Sequence, residues 1–268
     1  MLKLNILFAL NYLVVGVYLL SLMTIFFYSL YQLKMLFFYI RYKKEIKQKT
    51  PPLKEKVLPK VTIQLPLYNE RYVIKRLLES ITTLDYPSNN LQIQILDDSS
   101  ERDHEFTKEI VKEFQKQFHS LDYLHRKNRN GFKAGALKEG LKKAKGDFIA
   151  IFDADFLPSK NWLREVIPHF NTPQVGVIQT RWGHINRNYS VFTWAQSLAL
   201  DIHFRLEQMG RGLQNQFINF NGTAGIWRKS CIEDAGNWDG ETLTEDLDLS
   251  YRAQLKNCLL YTSDAADE

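Results

Sequence analysis

The first apolar segment of the chain is long enough to cross a membrane. Residues 4–33 contain no charged side chain and no histidine. As a helix they would extend about 45 Å, compared with about 30 Å for the hydrocarbon core of a bilayer. A cleaved signal peptide is the alternative interpretation, but its apolar region is shorter and ends in a small-residue cleavage site. We therefore predict one N-terminal transmembrane helix over residues 4–33.

Basic residues cluster directly after this segment. Residues 34–60 contain nine Lys or Arg and two Glu. The positive-inside rule then predicts that the chain after the helix lies in the cytoplasm. Because Thr50, Pro51 and Pro52 would end a helix, we expect residues 34–60 to form a basic juxtamembrane linker.

The pattern changes at Val61 to short apolar strands that alternate with helical periodicities. Five stretches rich in β-branched or aliphatic residues are predicted as strands, namely 61–65, 92–96, 121–124, 148–152 and 175–178. Apolar residues at helical spacing between them predict helices around 73–84, 106–118 and 137–144. This alternation predicts an α/β fold with a mainly parallel sheet, whose ligand crevice lies at the carboxyl ends of the strands.

Polar side chains follow four of these strands at that same edge. Any one group has an ordinary explanation as a turn or a helix cap. Four groups at one edge predict a binding site instead. The groups are Tyr68, Asn69 and Glu70; Asp97, Asp98 and Ser99; His125, Arg126, Lys127 and Arg129; and Asp153 and Asp155.

The pair Asp153 and Asp155 indicates the chemistry of that site. Side chains two residues apart on a strand point to the same side. Two such carboxylates suit a hard divalent cation, Mg2+ or Mn2+, whose shell an anionic ligand such as a nucleoside diphosphate would complete. Taken alone, the pair is also explained by Asp155 capping the turn before Pro158 and by Asp153 ending a strand in solvent.

Composition narrows the class of protein. The chain has 268 residues, of which 45% are apolar and 24% charged, and a net charge of +5. These values fit one globular domain with an added membrane segment. Cys231 and Cys258 are too few for a disulfide framework or a zinc knuckle, which favours a reducing compartment.

Seven short motifs occur in order along the chain. They are Pro66-x-Tyr68-Asn69-Glu70, Asp97-Asp98-Ser99, Arg129-x-Gly131-x-Lys133-Ala134-Gly135, Asp153-x-Asp155, Gln179-Thr180-Arg181-Trp182, Phe220-Asn221-Gly222-Thr223 and Thr244-Glu245-Asp246. Together they resemble family 2 glycosyltransferases, most closely the cellulose-synthase-like group that includes mannan and glucan synthases. The resemblance covers residues 61–256 and implies a glycosyltransferase domain of the GT-A fold.

The resemblance implies a role for each motif at the donor side. Asp97 and Asp98 would contact the nucleobase and ribose, with Tyr68 and Glu70 beside the base. Lys133, with Arg129 close by, would meet the diphosphate. Asp153 would contact the donor and Asp155 would ligate Mg2+ or Mn2+. The donor-side residues are thus Tyr68, Glu70, Asp97, Asp98, Arg129, Lys133, Asp153 and Asp155.

The resemblance also implies the base and the acceptor side. Asp246 would be the general base of an inverting transfer, since a carboxylate can accept the acceptor's hydroxyl proton as attack develops. Acceptor contacts are expected from Arg181, Trp182, Asn221, Gly222, Thr223 and Glu245. Trp227 and Trp238 suit either a sugar face or the core, and residues 192–209 form an expected amphipathic helix under the membrane.

The end of the chain departs from the family pattern. After Lys256 the family continues with a Gln-x-x-Arg-Trp motif and further membrane helices, whereas residues 257–268 resemble read-through of a sequencing adapter. We therefore expect a truncated, single-pass piece of a multi-pass parent, with a non-native tail over residues 257–268.

The expected activity is transfer of a hexose from a nucleotide-diphosphate sugar of the UDP-glucose or GDP-mannose type to a glycan acceptor, in β-polysaccharide synthesis. Transfer to a lipid acceptor, or a catalytically silent nucleotide-sugar-binding fragment, is the alternative. A nucleotidyltransferase is disfavoured because residues 66–70 contain no glycine for a phosphate loop. Expected partners are the sugar donor, the acceptor and membrane lipid, without nucleic acid.

Overall fold

The computed structural model describes residues 2–47, 58–214 and 216–263. A long N-terminal helix precedes an α/β domain built on one seven-stranded sheet. The strands are β1 (Val61–Leu67), β2 (Leu91–Asp97), β3 (Leu121–His125), β4 (Phe148–Ile151), β5 (Val175–Thr180), β6 (Gly225–Arg228) and β7 (Leu259–Ser263).

Helices connect the strands and cover both faces of the sheet. They are α1 (Leu2–Lys47), α2 (Ile74–Thr82), α3 (Glu101–Gln115), α4 (Phe132–Lys143), α5 (Trp162–Val166), α6 (Val191–Ile202), α7 (Met209–Leu213), α8 (Lys229–Asp234) and α9 (Glu245–Leu255). Short 3-10 turns occupy Ser88–Asn90 and Ile167–His169, and a π-helical segment, His203–Gln208, joins α6 to α7.

The sheet is mainly parallel, as the sequence predicts. Its strand order is β3-β2-β1-β4-β6-β5-β7, and β6 is antiparallel to both of its neighbours. The five predicted strands and the three predicted helices are confirmed. Because β1 to β4 are parallel neighbours, their carboxyl ends meet at one edge, where the four polar groups lie.

Two hydrophobic cores lie on opposite faces of the sheet. One contains Ile63, Leu65 and Ile93 under α2 and α3, and the other contains Ile149 and Ile151 under α4 and α9. These runs of β1, β2 and β4 are buried on both faces because helices cover both sides.

The aromatic residues of the second core are Phe220, Trp227 and Trp238. Both tryptophans are almost fully buried, and their ring centroids lie 5.9 Å apart in an edge-to-face arrangement. Phe220 packs 5.5 Å from Trp227. Trp227 and Trp238 are therefore core residues, the second of the two interpretations that the sequence allowed.

Helix α1 extends well past the predicted end of the apolar segment. It continues through the basic residues to Lys47, because the first prolines of the sequence, Pro51 and Pro52, come only later. Residues 34–47 of the predicted linker are thus helical, and 48–57 lie outside the described residues. Within α1, Phe8–Tyr42 is long and apolar enough to cross a membrane, with a mean hydropathy of 2.1.

The predicted non-native tail is partly described. Leu259–Ser263 forms strand β7, which pairs in parallel with β5. Residues 264–268 lie outside the described residues. The non-native origin of residues 257–268 stays a prediction.

Candidate active site

A cavity of about 350 Å³ opens at the carboxyl edge of the sheet. We call it the donor cavity. Its walls come from the ends of β1 and β4, the turn after β2 and the first turns of α4, because parallel neighbouring strands end side by side. The lining residues are Pro66, Leu67, Tyr68, Glu70, Asp98, Arg129, Lys133, Ala136, Asp153, Ala154 and Asp155. Seven of the eight sequence-predicted donor-side residues are among them, and Asp97 is the exception.

One wall of the donor cavity is an aromatic–guanidinium stack. The Arg129 guanidinium carbon lies 3.3 Å from the centre of the Tyr68 ring. Asn69 follows in the left-handed region, with φ 59°, and its side chain accepts a hydrogen bond from the Ser100 amide at 2.9 Å. This turn fixes Tyr68 against the loop after β2.

The two aspartates after β2 have different surroundings. Asp97 is fully buried and accepts hydrogen bonds from the Ser99 amide at 2.9 Å and the Tyr123 hydroxyl at 2.5 Å. Asp98 lines the donor cavity and receives a bidentate pair from Arg126 at 2.7 and 2.5 Å. Burial and the bond to Asp97 raise the pKa of Tyr123, so its phenol stays protonated. Of the pair, only Asp98 reaches the cavity.

Lys133 is the cationic centre of the donor cavity. Its Nζ donates to Asp153 Oδ1 at 2.5 Å and to the Gly222 carbonyl at 3.0 Å. A Cβ placed on Gly222 would lie 3.1 Å from Asp246 Oδ2 and 3.5 Å from Lys133 Nζ, so the Asp246 carboxylate comes close to the same centre. Gly222 has φ +79°, a conformation that favours glycine.

Burial works against the negative charges around Lys133. Burial raises the pKa of Asp153 above its ordinary value, Lys133 partly offsets this, and Asp155 and Asp246 add to it. The pKa of Glu245 is raised in the same way, chiefly by burial. Two buried carboxylates thus depend on one lysine, and further positive charge is favourable here.

Asp155 has the properties of a metal ligand. Its side chain is exposed at the rim of the donor cavity and also lines a second cavity. No lysine or arginine among the described residues pairs with it, whereas Lys133 pairs with Asp153. One or two carboxylates plus substrate phosphates is the usual way in which Mg2+ is held, so the residues present fit Mg2+ or Mn2+ beside a bound diphosphate.

The second cavity, about 540 Å³, shares Asp155 with the donor cavity. We call it the acceptor-side cavity. Trp182 forms part of its wall, with its ring 5.0 Å from Phe156 and 5.3 Å from Phe204. The Nε2 atom of His184, another wall residue, is buried and has no hydrogen-bond partner within the part of the chain that the structure describes, and burial lowers the pKa of this imidazole. A polar ligand in this cavity would meet both an aromatic face and a buried nitrogen.

Comparison with known proteins decides the family. Residues 62–234 match the sequence profile of glycosyl transferase family 2. The chain belongs to glycosyltransferase family 2. It is 41% identical over 226 residues to glucomannan 4-beta-mannosyltransferase 1 of Cyamopsis tetragonoloba, covering 81% of this chain and 42% of that protein. It is 40% identical over 214 residues to glucomannan 4-beta-mannosyltransferase 1 of Oryza sativa subsp. japonica, covering 77% and 40%.

The chain spans about two fifths of the length of these curated relatives. Among solved structures, the mannosyltransferase PcManGT from Pyrobaculum calidifontis, in complex with GDP-Man and Mn2+, matches with a TM-score of 0.65 at 21% identity, covering 87% of this chain and 63% of that one. S. aureus TarS 1-349 in complex with UDP matches with a TM-score of 0.57 at 19% identity, covering 76% and 58%. These structures confirm the predicted GT-A fold.

The loop predicted to meet the acceptor has a second role in this family 2 domain. Thr223 is buried, and its hydroxyl accepts a hydrogen bond from the Asp153 amide at 2.9 Å. Asn221 accepts from Gln208 at 3.0 Å. Together with Gly222, which binds Lys133, the loop fixes the positions of Asp153 and Lys133. Arg181, also predicted for the acceptor, lies 3.5 Å from Asp201 of α6.

Gly131 and Gly135 pack the start of α4 and do not line the donor cavity. Gly131 precedes the helix with φ +70°, and a Cβ on Gly135 would overlap the Asn130 carbonyl oxygen. Both glycines therefore serve the packing of the helix start.

Sequence reasoning gave no role to two residues that hold the site together. Arg126 was noted only as one of the polar residues after β3, but it pairs with Asp98 and also donates to the carbonyls of Asn130 and Phe132 at 3.0 and 2.9 Å. Gln179 is buried and binds both the amide of Asn221 at 2.7 Å and the carbonyl of Thr223 at 3.1 Å. Its position directly after the apolar run 175–178 was the available signal in the sequence, since an amide that is buried with such a strand needs hydrogen-bond partners.

Proposed function

We propose that this chain carries the donor site and catalytic base of an inverting hexosyltransferase that builds a β-linked polysaccharide, with GDP-mannose as the favoured donor. The observation that carries the proposal is the grouping of Lys133, Asp153, Asp155 and Asp246 between the donor cavity and the acceptor-side cavity. The mannosyl preference is supported by relatives about 40% identical that are named glucomannan mannosyltransferases.

The donor cavity offers partners for each part of a nucleotide sugar. Tyr68, Glu70 and Asp98 would contact the base and ribose, because carboxylates accept N–H and O–H bonds. Asp97 would act indirectly, because the hydrogen bond that it accepts from the Ser99 amide holds the turn that presents Asp98. Arg129 and Lys133 would meet the diphosphate as positive charges.

Asp155 would hold Mg2+ or Mn2+ against the diphosphate. A divalent ion in this position would stabilise the charge that develops on the leaving phosphate. Asp153 would stay bound to Lys133 and face the sugar. Because Lys133 is shared by Asp153 and the Gly222 carbonyl, its ammonium is already oriented before the donor arrives.

Asp246 would act as the general base. It lies at the start of α9 with its Oδ1 accepting from the Leu247 amide at 2.8 Å, which leaves the second oxygen directed toward Gly222. The acceptor hydroxyl would lose its proton to this oxygen while attacking the anomeric carbon, and the bond from that carbon to the phosphate oxygen would break. Attack opposite the leaving group inverts the configuration.

The acceptor-side cavity would receive the end of the growing glycan. Trp182 offers a ring on which the C–H face of a sugar can pack, and the buried nitrogen of His184 lacks a partner that a hydroxyl could supply. Further contacts with the acceptor would come from Arg181, Asn221, Gly222, Thr223 and Glu245.

Helix α1 would anchor the domain in a membrane. Its apolar part is exposed throughout Phe8–Leu30, and by the positive-inside rule the basic residues that follow would put the catalytic domain in the cytoplasm. The parent protein would add further membrane helices, with membrane lipid as a partner.

Incubation of the purified protein in detergent with a panel of labelled nucleotide sugars, Mn2+ and β-mannan oligosaccharides tests the proposal. We expect incorporation from GDP-mannose that exceeds incorporation from UDP-glucose. Preferred transfer from a UDP-sugar would contradict the mannosyl assignment. Label found in the lipid fraction would support the lipid-acceptor alternative, and donor binding without any transfer would support a silent binding fragment.

A further inference from the structure

A cluster of one carboxylate and two imidazoles lies behind the donor cavity. Asp97 ends β2, His125 ends β3 in direct register with it, and His104 lies in the first turn of α3. None of the three is among the residues that line the donor cavity. The fold thus brings three potential metal ligands together outside the site already described.

The three ligand atoms are arranged for a common ion. The Nδ1 atoms of His104 and His125 lie 3.7 and 4.0 Å from the same oxygen, Oδ2 of Asp97. The two imidazole rings are stacked, with centroids 3.6 Å apart. In a tetrahedral site with bonds of about 2.0–2.1 Å, neighbouring ligand atoms are about 3.3 Å apart. Because the lone pair of an imidazole nitrogen lies in the ring plane, both rings must move inward and rotate out of their stack to share an ion.

The surroundings prepare these atoms for metal binding. The Nδ1 atom of His125 is buried and has no hydrogen-bond partner among the described residues, which is costly without a ligand. The Nε2 atom of His104 lies 3.4 Å from the Glu105 carboxylate. A carboxylate on the distal nitrogen favours the tautomer that is protonated there, so that the lone pair is on Nδ1, as in many metal sites.

Tyr123 orients the carboxylate. Its hydroxyl donates to Asp97 Oδ2 at 2.5 Å and also lies 2.6 Å from His104 Nδ1. Metal binding would replace the second contact by a metal–nitrogen bond and keep the first. The side chains of His104 and His125 are 14% and 21% exposed, which leaves an ion a path from solvent.

We propose that Asp97, His104 and His125 form a second divalent-metal site, of the nitrogen-containing kind that takes Zn2+ or Co2+. Imidazole suits these ions, whereas the oxygen-only Asp155 site suits Mg2+ or Mn2+. A bound ion would tie together β2, β3 and α3 beneath Asp98. It would therefore stiffen the turn that presents Asp98 to the donor cavity.

Titration of the purified, chelator-treated chain with Co2+ tests this site through the visible absorption of the tetrahedral ion. We expect one equivalent of Co2+ to give the band and an equivalent of Zn2+ to remove it. The band is absent in His104→Ala and in His125→Ala. It is kept in His119→Ala, which changes an exposed histidine after α3, and in Asp155→Asn, which removes the other site.

Glu105→Gln gives a decisive variant that does not disturb folding, because the Glu105 side chain is 60% exposed. We expect it to weaken Zn2+ binding about tenfold, the usual lower bound for loss of a carboxylate behind a ligating histidine. An unchanged affinity in Glu105→Gln contradicts the proposal. So does a wild-type protein without the Co2+ band, or a band that persists in the His104 and His125 variants.

Discussion

At the scale of single residues, the site depends on Lys133. This one ammonium lies among Asp153, Glu245 and Asp246, and burial raises the pKa of the first two. The charge balance therefore favours a further cation, which the proposed metal at Asp155 supplies. Asp246, whose carboxylate lies beside Gly222, is the group that we propose as the general base.

Replacement of Asp246 by asparagine tests the base. Asp246→Asn keeps the size of the side chain and removes proton acceptance, so we expect turnover to fall by about 10²- to 10⁴-fold, while donor affinity changes little. Labelled mannose transfer and donor titration measure the two effects. Undiminished turnover would show that another group takes the proton.

Replacement of Lys133 by methionine tests the charge balance through pH. Lys133 lowers the pKa of Asp153 and Glu245, so Lys133→Met raises both pKa values further. If the ionised carboxylates are the active forms, the acidic limb of kcat/KM then moves to higher pH, and activity at low pH is lost first.

The control is Lys138→Met, an exposed lysine on the same helix, whose profile should match that of the wild type. Each profile is normalised to its own maximum, so that a general loss of activity does not affect the comparison. An acidic limb that stays in place in Lys133→Met would contradict the proposed coupling.

The chemical identity of the site residues was readable from the sequence, but their partners were not. Asp98, Lys133, Asp153 and Asp155 follow strands or begin a helix, and local pattern places such residues at the edge of a sheet. Pairings such as Lys133 with the Gly222 carbonyl join residues 89 positions apart. No local pattern encodes a contact of that range.

At the scale of elements, the turn after β2 and the loop before α4 are joined by Arg126. Its guanidinium binds Asp98 on one side and two carbonyls of the 130–132 loop on the other. The side chains of Arg126 and Asp98 are mostly buried, with exposed fractions of 15% and 5%. The donor cavity therefore has two walls that depend on one ion pair.

Loss of this pair is expected to destabilise the domain. Arg126→Met keeps the aliphatic stem and leaves Asp98 buried without its cation, which costs about 3–5 kcal/mol. Urea unfolding followed by tryptophan fluorescence measures the difference. Arg102→Met, an exposed arginine of α3, is the matched control and should change stability by less than about 0.5 kcal/mol. Equal stability of the two variants would contradict the role of Arg126.

The strength of the local signal decided which elements could be predicted. Strands β1 to β5 contain short runs rich in β-branched or aliphatic residues and were visible as such. Strand β6 has only two apolar residues, Ile226 and Trp227, and lies directly between the 220–224 loop and α8, so its pattern is too short to recognise. Helix α1 exceeded its predicted end because charge stops a membrane span but does not stop a helix.

At the scale of the whole molecule, helix α1 and the donor-cavity edge of the sheet are physically connected. Met35 of α1 is fully buried and faces Gly210, where a Cβ would lie 2.9 Å from its sulfur. Gln208, two residues before Gly210, binds Asn221 in the loop beside Lys133. Helix α1, the π-helical segment and the site loop thus form one continuous path.

The central claim is that the donor cavity binds a nucleotide sugar through a metal held by Asp155. Calorimetric titration of GDP-mannose into the purified protein, with Mn2+ or with chelator, tests it most directly. The matched control is Asp147→Asn, an exposed carboxylate at the opposite end of the same strand. We predict tight binding that needs Mn2+ in the wild type and in Asp147→Asn, and that is lost in Asp155→Asn. Affinity that is unchanged by chelator, or equal in the two variants, would contradict the account.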